Sequence, residues 1–286
     1  MNWAIKMNWA IKSAVAFAAI FSVAANGAEL KPETAHEWED YLVQANARMM
    51  DRMQRNFLWA DESEQRLQRV SSGEIVVAPI QPKMPISIPH GLVHHWIGTA
   101  FIRGTHIEDV IVTVREYDQY AKFYTPTVIG AQVIEQSADP TQASDHFILT
   151  FANKHFFSKH ALECENTSSY TRLDACRWYS QSRTIRVQEW AQYGTPNQHK
   201  LPAGEGTGYV WSVFNMSRFE ERDGGVYVEM EAVALSRDVP LALHPPVYPI
   251  IKRVSRSTLA TSLDETRKAV VERSAAVTSI KYKVGE

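Results

Sequence analysis

The feature that most constrains this fold is an unbroken series of strand-like segments in the second half of the chain. Six such segments follow one another with only short turns between them, and they cover residues 128–136, 145–153, 155–165, 174–190, 207–221 and 226–237. In the last segment Val226, Val228 and Met230 fall on one parity, and Glu229 and Glu231 fall on the other. A meander of this length must curl. We therefore expect one curved antiparallel sheet whose apolar parity forms a concave wall and whose glutamates face outward.

Helices are predicted before and after this series. The stretch GLVHHWIGTAFIRG, at residues 91–104, reads as a strand that ends at a glycine. Thr105 and Glu108 then predict a capping box for a helix that Pro126 closes. After the last strand three prolines introduce a long helical stretch, whose apolar stripe comprises Ile250, Val254, Leu259, Leu263 and Val270. One C-terminal helix of this kind can close the concave side of the sheet.

A further amphipathic helix is predicted at residues 33–57. Its apolar residues recur at steps of three and four, and they are Trp38, Leu42, Ala45, Met49, Met53 and Phe57. We expect this stripe to pack on the protein's own core, with binding to a membrane surface or a partner helix as the alternative. A proline-punctuated connector at residues 81–91 separates this N-terminal extension from the main domain.

The first 28 residues have the pattern of a secretory signal peptide. Lys6 and Lys12 precede an apolar run at residues 13–25, and small residues follow in VAANGA. The run is shorter than the roughly 20 residues that a spanning helix needs, so cleavage is expected and an uncleaved anchor is the alternative. The predicted division is a signal peptide at 1–28, an extension and connector at 29–90, a main domain at 91–276 and a tail at 277–286.

Export changes the interpretation of the two cysteines, because disulfides persist in oxidising compartments. Cys164 and Cys176 flank ENTSSYTRLDA. A hairpin that turns near Ser169 and Tyr170 would place them opposite each other on neighbouring strands, within reach of a disulfide. We therefore expect a structural disulfide, with two free buried thiols as the alternative.

Composition and motifs exclude several function classes. A net charge of −2 and a pI near 6.6 give no electrostatic footprint for nucleic acid. The sequence has no G-x-S-x-G elbow, P-loop, H-E-x-x-H or dinucleotide-binding glycine pattern. His94 and His95 would face opposite sides of a strand, and His90 would lie roughly 13 Å from His94. We therefore expect no metal site and no cofactor.

Four segments carry a resemblance to a known superfamily: GLVHHWIGTAFIRG, VREYDQYAKFYTPTV, SRFEERDGGVYVEMEAVALSRDVP and SRSTLATSLDETRKAV. Together with the order of elements they resemble the START-like (SRPBCC, helix-grip) superfamily, and within it a set of exported, uncharacterised bacterial proteins of acidobacterial type. The resemblance covers about residues 55–275. It implies an α+β fold in which a curved antiparallel sheet wraps around a long C-terminal helix, here with an added N-terminal helix. Superfamily members bind different ligands and only some catalyse.

The first functional hypothesis is an exported, periplasmic or secreted protein that binds or transfers a hydrophobic ligand without catalysis. The ligand would be a lipid, an isoprenoid or a polyketide-like molecule, with transient membrane contact possible during transfer. Apolar side chains from the elements around the concave wall are the candidates for the cavity lining, namely Trp96, Tyr117, Tyr124, Phe147, Phe151, Trp211, Val226, Val228 and Met230.

Two alternatives come from other classes. One is an enzyme that resembles polyketide cyclases, with Arg218 and Glu229 as a general acid/base pair. That mechanism requires both charges to face a common cavity. The other is a structural or partner-binding protein, which would have a filled core and an exposed apolar helix at residues 33–57. The sequence leaves the ligand and the oligomeric state open.

Overall fold

The computed structural model describes residues 28–139, 144–153 and 160–284. Its strands, numbered along the chain, are β1 (Ala28–Glu29), β2 (Val76–Pro79), β3 (Ile86–Ile88), β4 (Gly91–Arg103), β5 (Val128–Glu135), β6 (Ser144–Asn153), β7 (His160–Arg172), β8 (Arg177–Ala191), β9 (His199–Lys200), β10 (Glu205–Gly206), β11 (Ser212–Arg222) and β12 (Gly225–Arg237). Its α-helices are α1 (Pro32–Arg55), α2 (Glu64–Ser71), α3 (Ile107–Val114), α4 (Tyr120–Phe123) and α5 (His244–Val284).

The strands of the described residues form one large antiparallel sheet and one small one. The large sheet has ten strands in the order β2-β4-β12-β11-β8-β7-β6-β5, with β3 also beside β4 and β9 beside β8. The small sheet pairs β1 with β10. With the long C-terminal helix α5 and the added helix α1, this is the helix-grip α+β arrangement that the sequence predicts.

Helices cover both faces of the large sheet. Val226 and Val228 of β12 pack with Leu259 and Leu263 of α5, and we call this face concave. The opposite parity of the same strand contains Val233 and Leu235, which pack under α1. The concave wall therefore lies on the predicted parity, and the other parity is buried as well.

Helix α1 packs on the protein's own core. Its apolar stripe is buried against β4, β11 and β12, and the buried members of the stripe are Trp38, Leu42, Ala45 and Met49. Beyond the end of α1, Phe57, Leu58 and Trp59 form a second cluster with Phe101 and Tyr227 on the same face of the sheet. The N-terminal extension thus covers β4, β11 and β12 on the face opposite α5.

The predicted helix after β4 is interrupted, and its predicted capping box is wrong. Helix α3 ends at Val114, and α4 is a single turn. The hydroxyl of Thr105 is buried and finds no partner among the described residues. Glu221 of β11 instead accepts a hydrogen bond from the backbone N–H of Ile107, at 2.7 Å. A carboxylate on the sheet therefore replaces the local cap.

The predicted disulfide is also wrong. Strand β7 continues to Arg172, so the chain turns at residues 173–176 rather than near Ser169 and Tyr170. Cys164 therefore pairs with Val187 in the middle of β8, while Cys176 lies in the turn. The eight residues from Cys164 to Arg172 span roughly 26 Å at about 3.3 Å per residue. Both thiols are free.

Helix α5 begins at His244, so the prolines at 245, 246 and 249 lie in its first turns. It continues to Val284, and the segment predicted as a tail from residue 277 is helical to that point. The predicted signal peptide lies outside the described residues, apart from Ala28 in β1. Among the described helices, none is both long and apolar enough to span a bilayer.

Candidate ligand-binding site

The two halves of α5 pack differently on the concave face. In the C-terminal half Leu259, Leu263 and Val270 are buried against the sheet. Leu263 approaches so closely that a Cβ at Gly98 of β4 would lie 2.9 Å from its Cδ1. In the N-terminal half, by contrast, most of the residues that follow Val247 are only half-buried, including Ile251, Val254 and Ser255. Between Val247, which is buried against Leu92, and Leu259, the helix is therefore packed less tightly than in its C-terminal half.

Side chains of the sheet below the N-terminal half of α5 are also incompletely buried. Strands β12 and β11 are flanked by neighbours on both sides, so concave residues under a tightly packed helix would be fully buried. Several are instead half-buried, namely Val213, Asn215, Ser217, Met230, Ala232 and Ala234. We call the space that these residues border, with Ser182 of β8 and the half-buried face of α5, the concave trough.

One side of the trough is apolar and the other is polar. Ala232 and Ala234 of β12 form the side near α5. Across the sheet, Ser217 pairs with Ser180, and Asn215 pairs with Ser182. No described residue forms a hydrogen bond with the hydroxyls of Ser180, Ser182 or Ser217. Because polar groups in a protein interior need partners, these hydroxyls are available to water or to a ligand.

A cluster of tyrosines closes one end of the trough. Tyr117 donates a hydrogen bond to Asp145 at 3.0 Å, and its hydroxyl lies 3.1 Å from that of Tyr170. Arg115 binds both carboxylate oxygens of Asp145, at 2.8 Å each. Burial raises the pKa of Tyr117 and Tyr170, so both hydroxyls stay neutral. The Tyr124 hydroxyl lies 2.8 Å from Thr266 Oγ1 and connects this cluster to α5.

A histidine lies at the other end, on the concave face of β4. His94 pairs with Ala234 of β12, and its Nε2 lies 2.8 Å from Ser236 Oγ. Burial lowers the pKa of His94 to about 4, so the imidazole is neutral at physiological pH. Its other ring nitrogen, Nδ1, has no hydrogen-bond partner among the described residues. We call this the Ser236 end of the trough.

The predicted lining residues divide into four groups. Met230 borders the trough itself, while Trp96, Val226 and Val228 are packed beside or beneath α5. Tyr117 and Phe147 stack in the closed end, with ring centroids 3.9 Å apart. Tyr124 and Phe151 are half-buried beside them. Trp211 is a correction, because it packs with Trp38 and Leu42 of α1 on the opposite face.

Sequence reasoning missed the polar residues of the trough. Asn215 and Ser217 alternate with Met216 and Arg218 along β11, and this parity was a usable signal. It could not be interpreted without the pairing of β11 with β8, which brings Ser180 and Ser182 beside them. His94 was considered as a metal ligand and as an ordinary hydrogen-bonded or surface histidine, but not as part of a ligand site. As predicted, His94 and His95 face opposite sides, since His95 bonds Glu231 on the α1 side.

The charged pair of the enzyme hypothesis lies on the face opposite the trough. Arg218 Nη1 is 2.7 Å from Glu229 Oε1, and Arg218 Nη2 is 2.9 Å from Glu231 Oε2. All three side chains are essentially unexposed, so the prediction that both glutamates face outward to solvent is wrong. The physical reason is the layer formed by α1 and residues 57–60, which covers them.

This buried charge cluster is hydrogen-bonded to the covering layer. Glu229 accepts from Thr99 Oγ1 at 2.8 Å and from the backbone N–H of Trp59 at 3.0 Å. Glu231 is bound by Arg52 of α1 at 2.6 Å and by His95 at 2.9 Å. Burial alone would raise the pKa of Glu231, but the hydrogen bond from His95 and the two guanidinium charges lower it to about 2. The cluster is thus an ionised anchor between α1 and the sheet.

The remaining polar features give less support for a ligand-binding site than the trough does. The described residues contain no group of three or more metal-ligating side chains. Two surface recesses of about 370 and 380 Å³ lie outside the trough, and charged residues line them. Arg273 of one recess pairs with Glu116, and Arg52 of the other pairs with Glu62.

Three solved structures are similar to this chain at low sequence identity. No protein-family model matches the sequence, and no curated protein matches it. Human STARD10 has 9% identity and a TM-score of 0.44, over 76% of this chain and 83% of its own. A STAR-related lipid transfer protein fragment from Xanthomonas axonopodis has 13% identity and a TM-score of 0.38, over 68% of this chain and 96% of its own. The Zhui aromatase/cyclase from Streptomyces sp. R1128 has 12% identity and a TM-score of 0.37, over 63% of this chain and 95% of its own.

These solved structures belong to the superfamily that the sequence resembles. The narrower likeness to exported bacterial proteins of acidobacterial type stays a prediction.

Proposed function

We propose that this protein binds a hydrophobic ligand in the concave trough and carries it without chemical change. The observation that carries the proposal is the half-burial of concave residues such as Asn215, Ala232 and Ala234 in the middle of a ten-stranded sheet. Interior strand residues are normally close-packed. A trough that the protein's own helix leaves unfilled is therefore suited to a guest molecule.

The lining of the trough favours an amphipathic ligand over a plain hydrocarbon. Ala232, Ala234 and Met230 offer apolar contact, while Ser180, Ser182 and Ser217 offer hydroxyls without a protein partner. Small-molecule sites commonly combine a mostly apolar wall with a few polar groups that orient the ligand. An oxygenated isoprenoid, a polyketide-like molecule or a lipid with a polar group along its length fits this division.

The geometry does not favour the two alternatives. Arg218 and Glu229 are paired with each other beneath α1, on the face opposite the trough, and do not share a cavity with it. The partner-binding alternative expected an exposed apolar helix at residues 33–57. In α1 that stripe is buried against the sheet. Binding without catalysis therefore remains the better-supported proposal.

Export and transient membrane contact are part of the proposal. The signal-peptide pattern in residues 1–28 supports export. Near the Ser236 end of the trough, Leu241 is 84% exposed and Tyr209 is 44% exposed. From Leu241 to Leu263 the chain has three basic residues, namely Lys252, Arg253 and Arg256, and no Asp or Glu. An exposed apolar tip beside basic residues favours contact with an anionic membrane surface.

Native mass spectrometry of the mature protein, purified from its own cells, tests the proposal. We expect a stoichiometric hydrophobic adduct that organic extraction releases. The variant Ala232→Phe, which fills the trough, should lose the adduct. Ala47→Phe is the matched control, because Ala47 is exposed on α1. A clean apo mass for the wild-type protein, together with no uptake from an added lipid extract, would contradict ligand binding.

A further inference from the structure

We infer that His94, whose ring is oriented by its hydrogen bond to Ser236, binds the hydroxyl group of the ligand at the Ser236 end of the trough. The inference rests on the proposed function and specifies its ligand class: a hydrophobic molecule with an uncharged alcohol or phenol at one end. Nothing in the sequence motifs assigns a role to this pair.

The position of the pair follows from strand pairing. His94 of β4 lies opposite Ala234 of β12, and Ser236 is two residues further along β12 on the same face. Ala234 and Ser236 are both half-buried, as are Val254 and Ser255 of α5. His94 itself is half-buried, so part of its ring borders accessible space. Leu92, opposite Ser236, is buried with Val247, so the pair lies where the trough ends near the start of α5.

Hydrogen bonding leaves one ring nitrogen available. Ser236 Oγ donates to the backbone carbonyl of Arg237 at 3.2 Å. We assign the single hydroxyl proton to this bond, and with that assignment Ser236 Oγ accepts from His94 Nε2–H at 2.8 Å. In this tautomer Nδ1 is an acceptor, and no described residue donates to it. A ligand hydroxyl is the kind of donor that completes the site.

The electrostatics argue for an uncharged group. The imidazole is neutral because burial lowers the pKa of His94 to about 4. Among the described residues His94 forms no ion pair with an acidic or basic side chain. A carboxylate or phosphate anion has no proton to donate to Nδ1, and burying its charge against a neutral imidazole is unfavourable. A hydroxyl gains a hydrogen bond without that penalty.

Two probes that differ at one group test the inference. Farnesol and farnesyl methyl ether share an isoprenoid skeleton, but only the alcohol can donate a hydrogen bond. Isothermal titration of the wild-type protein should give about fivefold tighter binding of the alcohol, as expected for one net hydrogen bond. In His94→Phe the two probes should bind equally, and in Ser236→Ala the preference should shrink.

A matched control and a direct readout accompany the titration. His36→Phe changes an exposed histidine on α1 and should leave the preference unchanged. In the wild-type protein, the ¹⁵N signal of His94 Nδ1 should move when farnesol is added and stay in place with the ether. This measurement does not depend on whether a variant folds.

The outcomes distinguish a failure of the hydroxyl site from a failure of ligand binding. If the wild-type protein binds both probes equally tightly, or if His94→Phe keeps the preference, the hydroxyl site is overturned and ligand binding stands. If neither probe binds to the wild-type protein, hydrophobic-ligand binding is overturned and the hydroxyl site falls with it.

Discussion

Arg218 and Glu229 face each other on neighbouring strands, with Nη1 and Oε1 2.7 Å apart, and neither side chain is exposed. The same guanidinium reaches Glu231, which in turn binds Arg52 of α1. Removing charges from water is costly unless they are paired and hydrogen-bonded. The cluster therefore joins α1 to β11 and β12, the strands whose opposite face borders the concave trough.

We expect Arg218→Met to lower the free energy of unfolding by about 3–5 kcal/mol, because it leaves Glu229 and Glu231 buried with one cation removed. Urea unfolding, followed by circular dichroism, measures the change. Arg183→Met is the matched control, since Arg183 pairs with Glu39 at the surface of the same face. Its cost should stay below about 1 kcal/mol. Equal costs for the two variants would show that the buried cluster does not stabilise the fold.

Stability should fall in acid through Glu231. The folded-state pKa is about 2, below the usual 4.5, so the unfolded chain takes up this proton first. The stabilisation is fully present above about pH 4.5 and is lost as the pH falls through about 2. It amounts to about 3 kcal/mol. Urea unfolding of wild type and Glu231→Gln from pH 6 to pH 2 should show a gap that narrows with acidification. A gap that stays constant would contradict this ionisation.

The two thiols should differ in reactivity. Cys176 is exposed in the β7–β8 turn, whereas Cys164 is buried and its pKa is raised to about 12 by burial. Because the thiolate is the reactive form, iodoacetamide at pH 8 should modify only Cys176 in the native, unreduced protein. Intact mass should show one adduct before denaturation and two after. Native protein that gains none and weighs 2 Da less than the reduced form would contradict the free thiols.

The start of α3 should depend on Glu221 and not on Thr105. Glu221→Ala removes the carboxylate that accepts the N–H of Ile107, and we expect a loss of about 1 kcal/mol, as for other N-caps. Thr105→Val should be neutral or stabilising, because its buried hydroxyl has no partner among the described residues. Thermal unfolding compares the pair. A larger loss for Thr105→Val would restore the local capping box.

The sequence predicted the sheet and its concave parity because alternation in β12 is a local property. Which element covers the opposite face of β12 depends on contacts between segments far apart in the sequence. Glu229 and Glu231 look like solvent-facing residues until α1 is placed over them, although Val233 and Leu235 on the same parity pointed to a buried surface. The cysteine pairing failed for a related reason. Asp174 accepts the N–H of Cys176 and binds Arg177, and this local turn competes with one near Ser169.

The candidate site could be predicted only in part. Apolar residues of the correct strands were identified, but Trp211 was assigned to the wrong face because it precedes β11 and its parity is set by the irregular segment before the strand. The polar residues depend on the pairing of β8 with β11, which a single sequence does not encode locally.

The alternation of β12 and β11 has a consequence for redesign. Each trough residue has neighbours along the chain that belong to the opposite layer, so Met230 lies between Glu229 and Glu231, and Ser217 lies between Met216 and Arg218. A shift of one residue would exchange the two layers and place ionised glutamates beneath the leucines of α5. The buried charges on the α1 face therefore fix the register of both strands. Single residues of the trough lining can accordingly be substituted without a change of strand register. A library of substitutions at Ser217, Met230 and Ala232 should therefore alter ligand preference.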